Sequence, residues 1–384
     1  MVALFFLFIF GFLLFFVFDY YINPELIIGE RSKNIKNMKI AFFSVIFLFF
    51  VIFLFISAFQ YIDTSSLARW INGTSNDLSR YKFAFDSLDG KNFFEAVKDI
   101  GQEPLFVFYM YVFRILSKSF SAFLLTVYLF VFSSLYSFLR EFRGIRNFLF
   151  YFFAFVYLYT LIITSYCLLR MGIAFSCCLF VYKNLFHKKI NKAMCWGIVA
   201  CGFHISAIFI FTIIVIYSYS LKHSLKSTFL FFIFFFILAF VLSSFMSIII
   251  SKVFSSKSVY LKGALAKGTY ISNFIFLVLL LAKGNLFYEN KKNRLMFCVI
   301  LCSFYIMPLQ LTVSAFYRMI FYTYPAVFYI SFLVYKLYNS KEKIFSTVCA
   351  RSFVVFYNLL YLYRFCTESW NSYGLNTYSL FYFY

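Results

Sequence analysis

Three arginines and one histidine stand where the sequence is otherwise apolar. Arg170 interrupts a stretch running from 148 to 186, Arg318 lies between Tyr317 and Met319, Arg364 falls near the end of the last apolar run, and His204 is set among apolar neighbours. An ionisable group inside a membrane span costs roughly 2.5–3.5 kcal/mol at the helix centre, so each needs a reason. A guanidinium keeps its charge and grips phosphate oxygens through paired hydrogen bonds, which makes Arg170 and Arg318 candidate diphosphate ligands. Snorkelling to lipid headgroups is the competing role, and the stronger one for Arg364. A neutral imidazole at His204 can accept a proton from a hydroxyl or donate a hydrogen bond to a phosphate; a satisfied core histidine is the bland alternative.

The acids are elsewhere. Seven of the fourteen (Asp63, Asp77, Asp86, Asp89, Glu95, Asp99 and Glu103) fall within residues 60–104, marking the one long polar loop. Asp63 directly follows the second apolar run, and Glu103-Pro104 directly precedes the apolar stretch 105–116, which contains Arg114. That stretch is too short to span and reads as an interfacial helix. Asp63 and Glu103 are therefore held at the membrane surface, where a lipid headgroup lies, although capping or turn formation would also explain them. The other five acids read as a solvated face.

The elements that must position these groups follow from composition. Of 384 residues 64% are hydrophobic, 26% aromatic and only 13% charged, with 64 Phe. No soluble domain can hide that much apolar surface, which excludes a soluble enzyme, a disordered chain and a disulfide scaffold. The 35 basic and 14 acidic residues leave a net charge of +21, but the basic residues cluster in short loops between apolar runs, as in cytoplasmic membrane loops, and nucleic acid binding is not expected. The nine cysteines lie almost entirely in apolar runs without metal spacing and read as buried hydrophobes. Walker, dinucleotide, HExxH and Gly-x-Ser-x-Gly motifs are absent, so ATP hydrolysis, nicotinamide chemistry, zinc proteolysis and the common serine hydrolases lack support.

Candidate spans are residues 2–18 (read as a retained anchor), 40–59, 119–139, 148–169, 228–250, 295–316, 319–335 and 344–365, with shorter runs at 171–186 and 269–282. The Lys and Arg clusters in loops 19–39, 140–147, 183–192, 283–294 and 336–343 place those loops on the cytoplasmic side. Keeping both 183–192 and 283–294 inside demands an even number of crossings between them, whereas simple counting gives an odd one. Breaking the run 193–217 at Phe203-His204 into two half-crossings restores parity and puts Arg170 and Arg318 at the outer face. The fold class expected is thus an all-α polytopic integral membrane protein, a single transmembrane domain over 1–384 with about ten to twelve transmembrane helices and a broken hairpin near His204. Its long periplasmic loop is 60–118, ending in the interfacial helix. A second outer loop, 251–268, carries Lys252, Lys257, Lys262 and Lys267 without an acid, which suits an anionic substrate.

Several short motifs, in order, resemble the EpsG-like and Wzy-type polymerases of bacterial O-antigen, capsule and exopolysaccharide. They are Asp63-Thr64, Glu103-Pro104-Leu105-Phe106, Arg170-Met171-Gly172-Ile173-Ala174, Phe203-His204-Ile205-Ser206-Ala207 and Arg318-Met319-Ile320-Phe321-Tyr322. The sequence departs from the family pattern at Gln60, Tyr61, Leu67, Leu105 and Met171. The resemblance implies transfer of a growing glycan from undecaprenyl diphosphate to a sugar hydroxyl of another lipid-linked repeat unit, at the periplasmic face of the bacterial inner membrane. It implies catalytic roles for His204, Arg170 and Asp63, substrate binding by Arg318, Tyr322 and Glu103, and no cofactor. Partners would be the lipid-linked repeat units, membrane lipids and a chain-length regulator protein. A lipid-linked oligosaccharide flippase is the alternative, and a membrane acyltransferase is less favoured because no His-Asp pair is evident.

The topology makes an accessibility prediction. In a background without native cysteines, Cys placed at Ser75 or Ser256 reacts with an impermeant thiol reagent from outside, and Cys at Ser340 does not. Labelling of position 256 only after permeabilisation would remove the broken hairpin from the topology.

Overall fold

The computed structural model describes residues 77–142, 149–150, 153–154, 156–157, 168–253, 267–284, 287–312, 314–339 and 344–364. Asp63, the apolar runs 2–18 and 40–59 and most of 148–169 lie outside them. Among the described residues the regular elements are all helical: α1 (Asp77–Asp86), α2 (Phe93–Ile100), α3 (Pro104–Leu116), α4 (Phe120–Leu139), α5 (Leu169–Phe186), α6 (Ile190–Phe203), α7 (Phe209–Ser220), α8 (Leu225–Val253), α9 (Lys267–Leu281), α10 (Lys291–Thr312), α11 (Tyr324–Leu337) and α12 (Ile344–Arg364). Short 3-10 helices at Arg140–Phe142, Ile205–Ile208 and Ser314–Thr323 join them. Six helical segments among the described residues are long and apolar enough to cross a membrane, and the protein is an all-α polytopic membrane protein.

The acid-rich stretch is folded rather than a plain loop. Leu78, Tyr81, Phe85 and Leu88 recur at helical spacing and are all buried. A capping box opens α2, the Asn92 side chain accepting from the Glu95 N–H (2.9 Å) while Glu95 accepts from the Asn92 N–H (3.1 Å). Gly101, at φ +60°, closes it in the left-handed region. Pro104 then starts α3 at a position where its missing N–H costs nothing. Arg114 of α3 holds Asp89 with two hydrogen bonds (2.8 and 2.5 Å), reaches Asp86 at 3.5 Å and lies over the Phe85 ring. Asp86 and Asp89 stay exposed, as a solvated face requires, and from there they also tie the α1 end to α3; hydrogen bonding to Arg114 holds the Asp89 carboxyl below its ordinary pKa.

The α6–α7 hairpin returns to the end from which it starts. At its mouth Tyr217 donates to the Leu185 carbonyl (3.3 Å), and Arg294 donates to the Ser220 carbonyl (3.0 Å). The same end gathers Lys183, His187, Glu141 and Lys292: His187 Nε2 lies 2.9 Å from Glu141, Lys183 donates to Ser137 (2.7 Å), and Lys292 bonds the Glu141 carbonyl beneath the Phe142 and Phe186 rings. Helix α5 has 18 residues, about 27 Å at 1.5 Å per residue, so Arg170 at its start lies a membrane thickness from this basic end. The run 193–217 is thus broken at His204 into two short helices that return to the same end, as the expected hairpin requires.

Helices α10 and α11 are wrapped by the others, whereas α8 and α12 leave most of their apolar surface uncovered, as helices facing lipid do. Polar groups in the bundle find partners on neighbouring helices. Tyr305 donates to the Phe232 carbonyl (2.9 Å), Tyr270 to Gln310 (2.7 Å) and Asn273 to Ser303 (3.0 Å). The apolar run 295–316 ends as α-helix at Thr312, and Arg318 sits in the 3-10 segment between α10 and α11.

The end of α6 packs against the start of α3 at Gly202, where an added Cβ would come within 3.0 Å of the Leu105 Cβ and Cδ2. Gly202→Ala is expected to lower stability by about 1–3 kcal/mol through overpacking. Combined with Leu105→Ala, it should cost less than the sum of the two single changes in thermal melts of the detergent-solubilised protein; strict additivity would mean the two helices do not press together here.

Candidate active site

His204 is the residue at which α6 stops. Its backbone is extended (φ −157°, ψ 120°), its N–H still reaches the Ala200 carbonyl (2.9 Å), and the chain then re-enters a 3-10 turn. A break of this kind leaves backbone N–H groups without helical acceptors, which is costly away from water. Each finds one here. The Ile205 N–H donates to Glu103 Oε1 (3.3 Å), the Ser206 N–H to His204 Nδ1 (3.2 Å) and the Ala207 N–H to the His204 carbonyl (2.9 Å).

Glu103 therefore has two tasks. It stands at the N-cap of α3 but makes no side-chain cap, so the capping alternative fails. One carboxylate oxygen serves the α6 break, and the other is ion-paired with Arg170 Nη1. Arg170 enters from the first turn of α5, donates from Nε to Tyr81 Oη (3.3 Å) and lies 5.8 Å from the centre of the Tyr81 ring. Tyr81 is in turn packed edge-on against Phe106, two residues after Pro104. Burial works to raise the Glu103 pKa, but the adjacent Arg170 charge, the neighbouring His204 and the hydrogen bonds to the carboxylate together outweigh it, so the carboxyl lies below its ordinary range.

Ser206 Oγ lies 2.6 Å from His204 Nδ1 and 3.0 Å from Tyr322 Oη, linking the hairpin to the Ser314–Thr323 segment. Tyr322 is fully buried; its carbonyl accepts a hydrogen bond from Tyr182 of α5 (2.5 Å). Arg318, four residues earlier in the same 3-10 segment, is near enough for its charge to act on both His204 and Tyr81. Five of the six residues singled out from the sequence, Glu103, Arg170, His204, Arg318 and Tyr322, thus come together from four separate elements. The sixth, Asp63, is not among the described residues. Arg364 ends α12 beside Gly268 at the start of α9. Arg351 donates to the Tyr335 carbonyl (3.2 Å) and lies over that ring, a structural role.

Sequence reasoning missed Tyr81 and the part played by Ser206. The signal for Tyr81 was the apolar spacing Leu78, Tyr81, Phe85 within acid-rich sequence, which marks an inward helix face. Chemically, two guanidinium groups and one carboxylate act on the His204 ring, a local balance of positive charge matched to an anion with several oxygens.

The Glu103–Arg170 pair sets a stability prediction. Both side chains keep only about a sixth of their surface exposed (16% and 17%), so Glu103→Gln, which strands the guanidinium, should cost up to about 3 kcal/mol. Glu103→Gln with Arg170→Gln should cost less than the two separately. Because the folded pKa of Glu103 is depressed, its contribution is complete above the unfolded value of about 4.3 and is lost only as pH falls through the lower folded value. Acid unfolding of Glu103→Gln should lack that component; an acid limb identical to wild type would exclude the pair as a contributor.

A family model, that of the EpsG family, matches residues 59–380. Comparison with curated proteins and with solved structures gives no match. The matched stretch takes in Asp63, Glu103, Arg170, His204, Arg318 and Tyr322, and with this coverage the chain belongs to the EpsG family.

Proposed function

We propose that this membrane protein of polysaccharide biosynthesis is a polymerase that transfers a growing glycan from a polyprenyl diphosphate carrier to a sugar hydroxyl of a second lipid-linked repeat unit. The observation that carries the reading is the convergence of Arg170, Arg318 and His204 at one end of the bundle, a membrane thickness from the basic end. In the bacterial inner membrane that end would face the periplasm, with the basic end in the cytoplasm.

In the reaction the sugar C–O bond to the diphosphate breaks, a new C–O bond to the acceptor forms, the hydroxyl proton leaves, and the carrier departs as a lipid diphosphate with one more negative charge. Charge grows on the leaving group, so fixed cations and N–H donors aimed at it lower the barrier, and each well-placed donor is worth about 10²–10³ in rate. Arg170 and Arg318 take that role. Glu103 and Tyr81 hold the Arg170 fork in place. Asp63 is proposed to serve the acceptor sugar from the outer loop. Tyr322 is proposed to act through Ser206, since its ring is buried.

The test is the glycan ladder in cells. Arg318→Lys keeps charge but loses the planar fork and should shorten the polymer substantially at normal expression. Arg170→Ala and His204→Ala should leave single-repeat glycans with no ladder. Continued display of single repeats separates a polymerase from a flippase, whose loss would abolish display altogether; disappearance of single repeats in both variants would overturn the assignment. Wild-type chain length in both Arg318→Lys and Arg318→Ala would reduce Arg318 to a lipid anchor.

A further inference from the structure

We propose that Ser206 fixes His204 as its Nε2–H tautomer, so that the imidazole is a neutral N–H donor whose ligand is a diphosphate oxygen, not a base for the acceptor hydroxyl. The tautomer rests on geometry alone; the ligand class rests on the polymerase reading above.

A backbone N–H can only donate. The Ser206 N–H points at His204 Nδ1 from 3.2 Å, so that nitrogen presents its lone pair, and in a neutral ring the proton is on Nε2. The Ser206 hydroxyl, 2.6 Å from the same nitrogen, must then donate to it as well. With its own hydrogen committed, Ser206 Oγ accepts from the Tyr322 hydroxyl at 3.0 Å. The chain of donors runs Tyr322, Ser206, His204, and each link polarises the next. An imidazolium would set an Nδ1–H against the Ser206 N–H, so the same contact that fixes the tautomer also disfavours the doubly protonated ring.

The other side of the ring is open to the site. Nε2 is absent from the buried polar atoms that lack a partner, and no hydrogen bond from it is made among the described residues. The charged groups that act on the ring are Glu103, Arg170 and Arg318. One of them, Glu103, is already engaged by Arg170 and the Ile205 N–H. An Nε2–H donor next to two guanidinium groups suits an oxygen that gains charge. It does not suit a hydroxyl that must lose a proton, because Nε2 has no free lone pair. The hydroxyl proton then goes to the departing diphosphate or to solvent, which closes the proton balance without the histidine. Ser206 and Tyr322 are positioning residues in this scheme.

The chain has only two other histidines, His187 and His223, so one imidazole can be observed by itself. The full-length protein carrying His187→Gln and His223→Gln, labelled with ¹⁵N-histidine and held in lipid nanodiscs, should give one ring with a protonated Nε2 and an unprotonated Nδ1 at neutral pH. A proton on Nδ1, or on both nitrogens, would overturn the tautomer. Ser206→Ala should keep the tautomer, through the backbone N–H, but move the Nδ1 resonance as one donor is lost, with Tyr322→Phe moving it less in the same direction; an unmoved Nδ1 in Ser206→Ala would overturn the role of the hydroxyl. Adding farnesyl diphosphate should shift the Nε2 resonance, and farnesol should not. If neither shifts it, the ligand class is wrong while the tautomer stands, and inorganic pyrophosphate as a third arm tells whether the diphosphate suffices without its lipid. The glycan ladder decides the polymerase reading separately.

Discussion

The structure turns on a helix of the bundle that breaks at His204 and turns back. Where α6 ends at His204, backbone N–H groups lose their helical acceptors in surroundings that offer little water, and the protein must replace them. It does so with groups that also make up the candidate site: Glu103 takes the Ile205 N–H, and the His204 ring takes the Ser206 N–H. The helix break and the site are one construction. The Glu103 carboxylate and the His204 ring each accept a backbone N–H of the break while forming part of the site.

This constraint explains the arrangement of the outer segment. Glu103 reaches the break only if α3 starts beside the end of α6, and the close approach of Gly202 to Leu105 allows it. The start of α3 is in turn held by the packing of α1 and α2, with Tyr81 against Phe106 and Arg114 gripping Asp86 and Asp89. The polar segment between the second and third apolar runs is therefore scaffold as much as loop. Arg170 then has a carboxylate and a phenol to lie against, so its charge is kept in a part-buried place at a cost the pair offsets.

Charge is segregated along the bundle axis. At one end Lys183, His187, Lys292 and Arg294 are engaged with Glu141, Ser137 and main-chain carbonyls. At the other, Glu103, Arg170 and Arg318 act on the His204 ring. The helices α8 and α12 leave most of their apolar surface uncovered along the bundle.

Much of this was legible in the sequence, for definite reasons. Apolar runs long enough to span, interrupted by basic loops, fix an all-helical membrane protein because backbone groups in lipid must be satisfied within the helix. Parity between two basic loops then requires one of the crossings between them to be double or absent, and Gly202 beside His204 offers a break point. The isolated Arg170, Arg318 and His204 stand out because charge in an apolar run is expensive. Pairings were not legible. Arg170 and Glu103 are 67 residues apart, Arg170 and Tyr81 are 89 apart, and Ser206 and Tyr322 are 116 apart. No local pattern links them. Whether Glu103 caps its own helix or serves another, which arginine the exposed Asp86 and Asp89 engage, and which nitrogen of His204 carries the proton are set by what packing brings within 3 Å or so. A sequence carries residue type and period; a donor's direction exists only once the chain is folded around it.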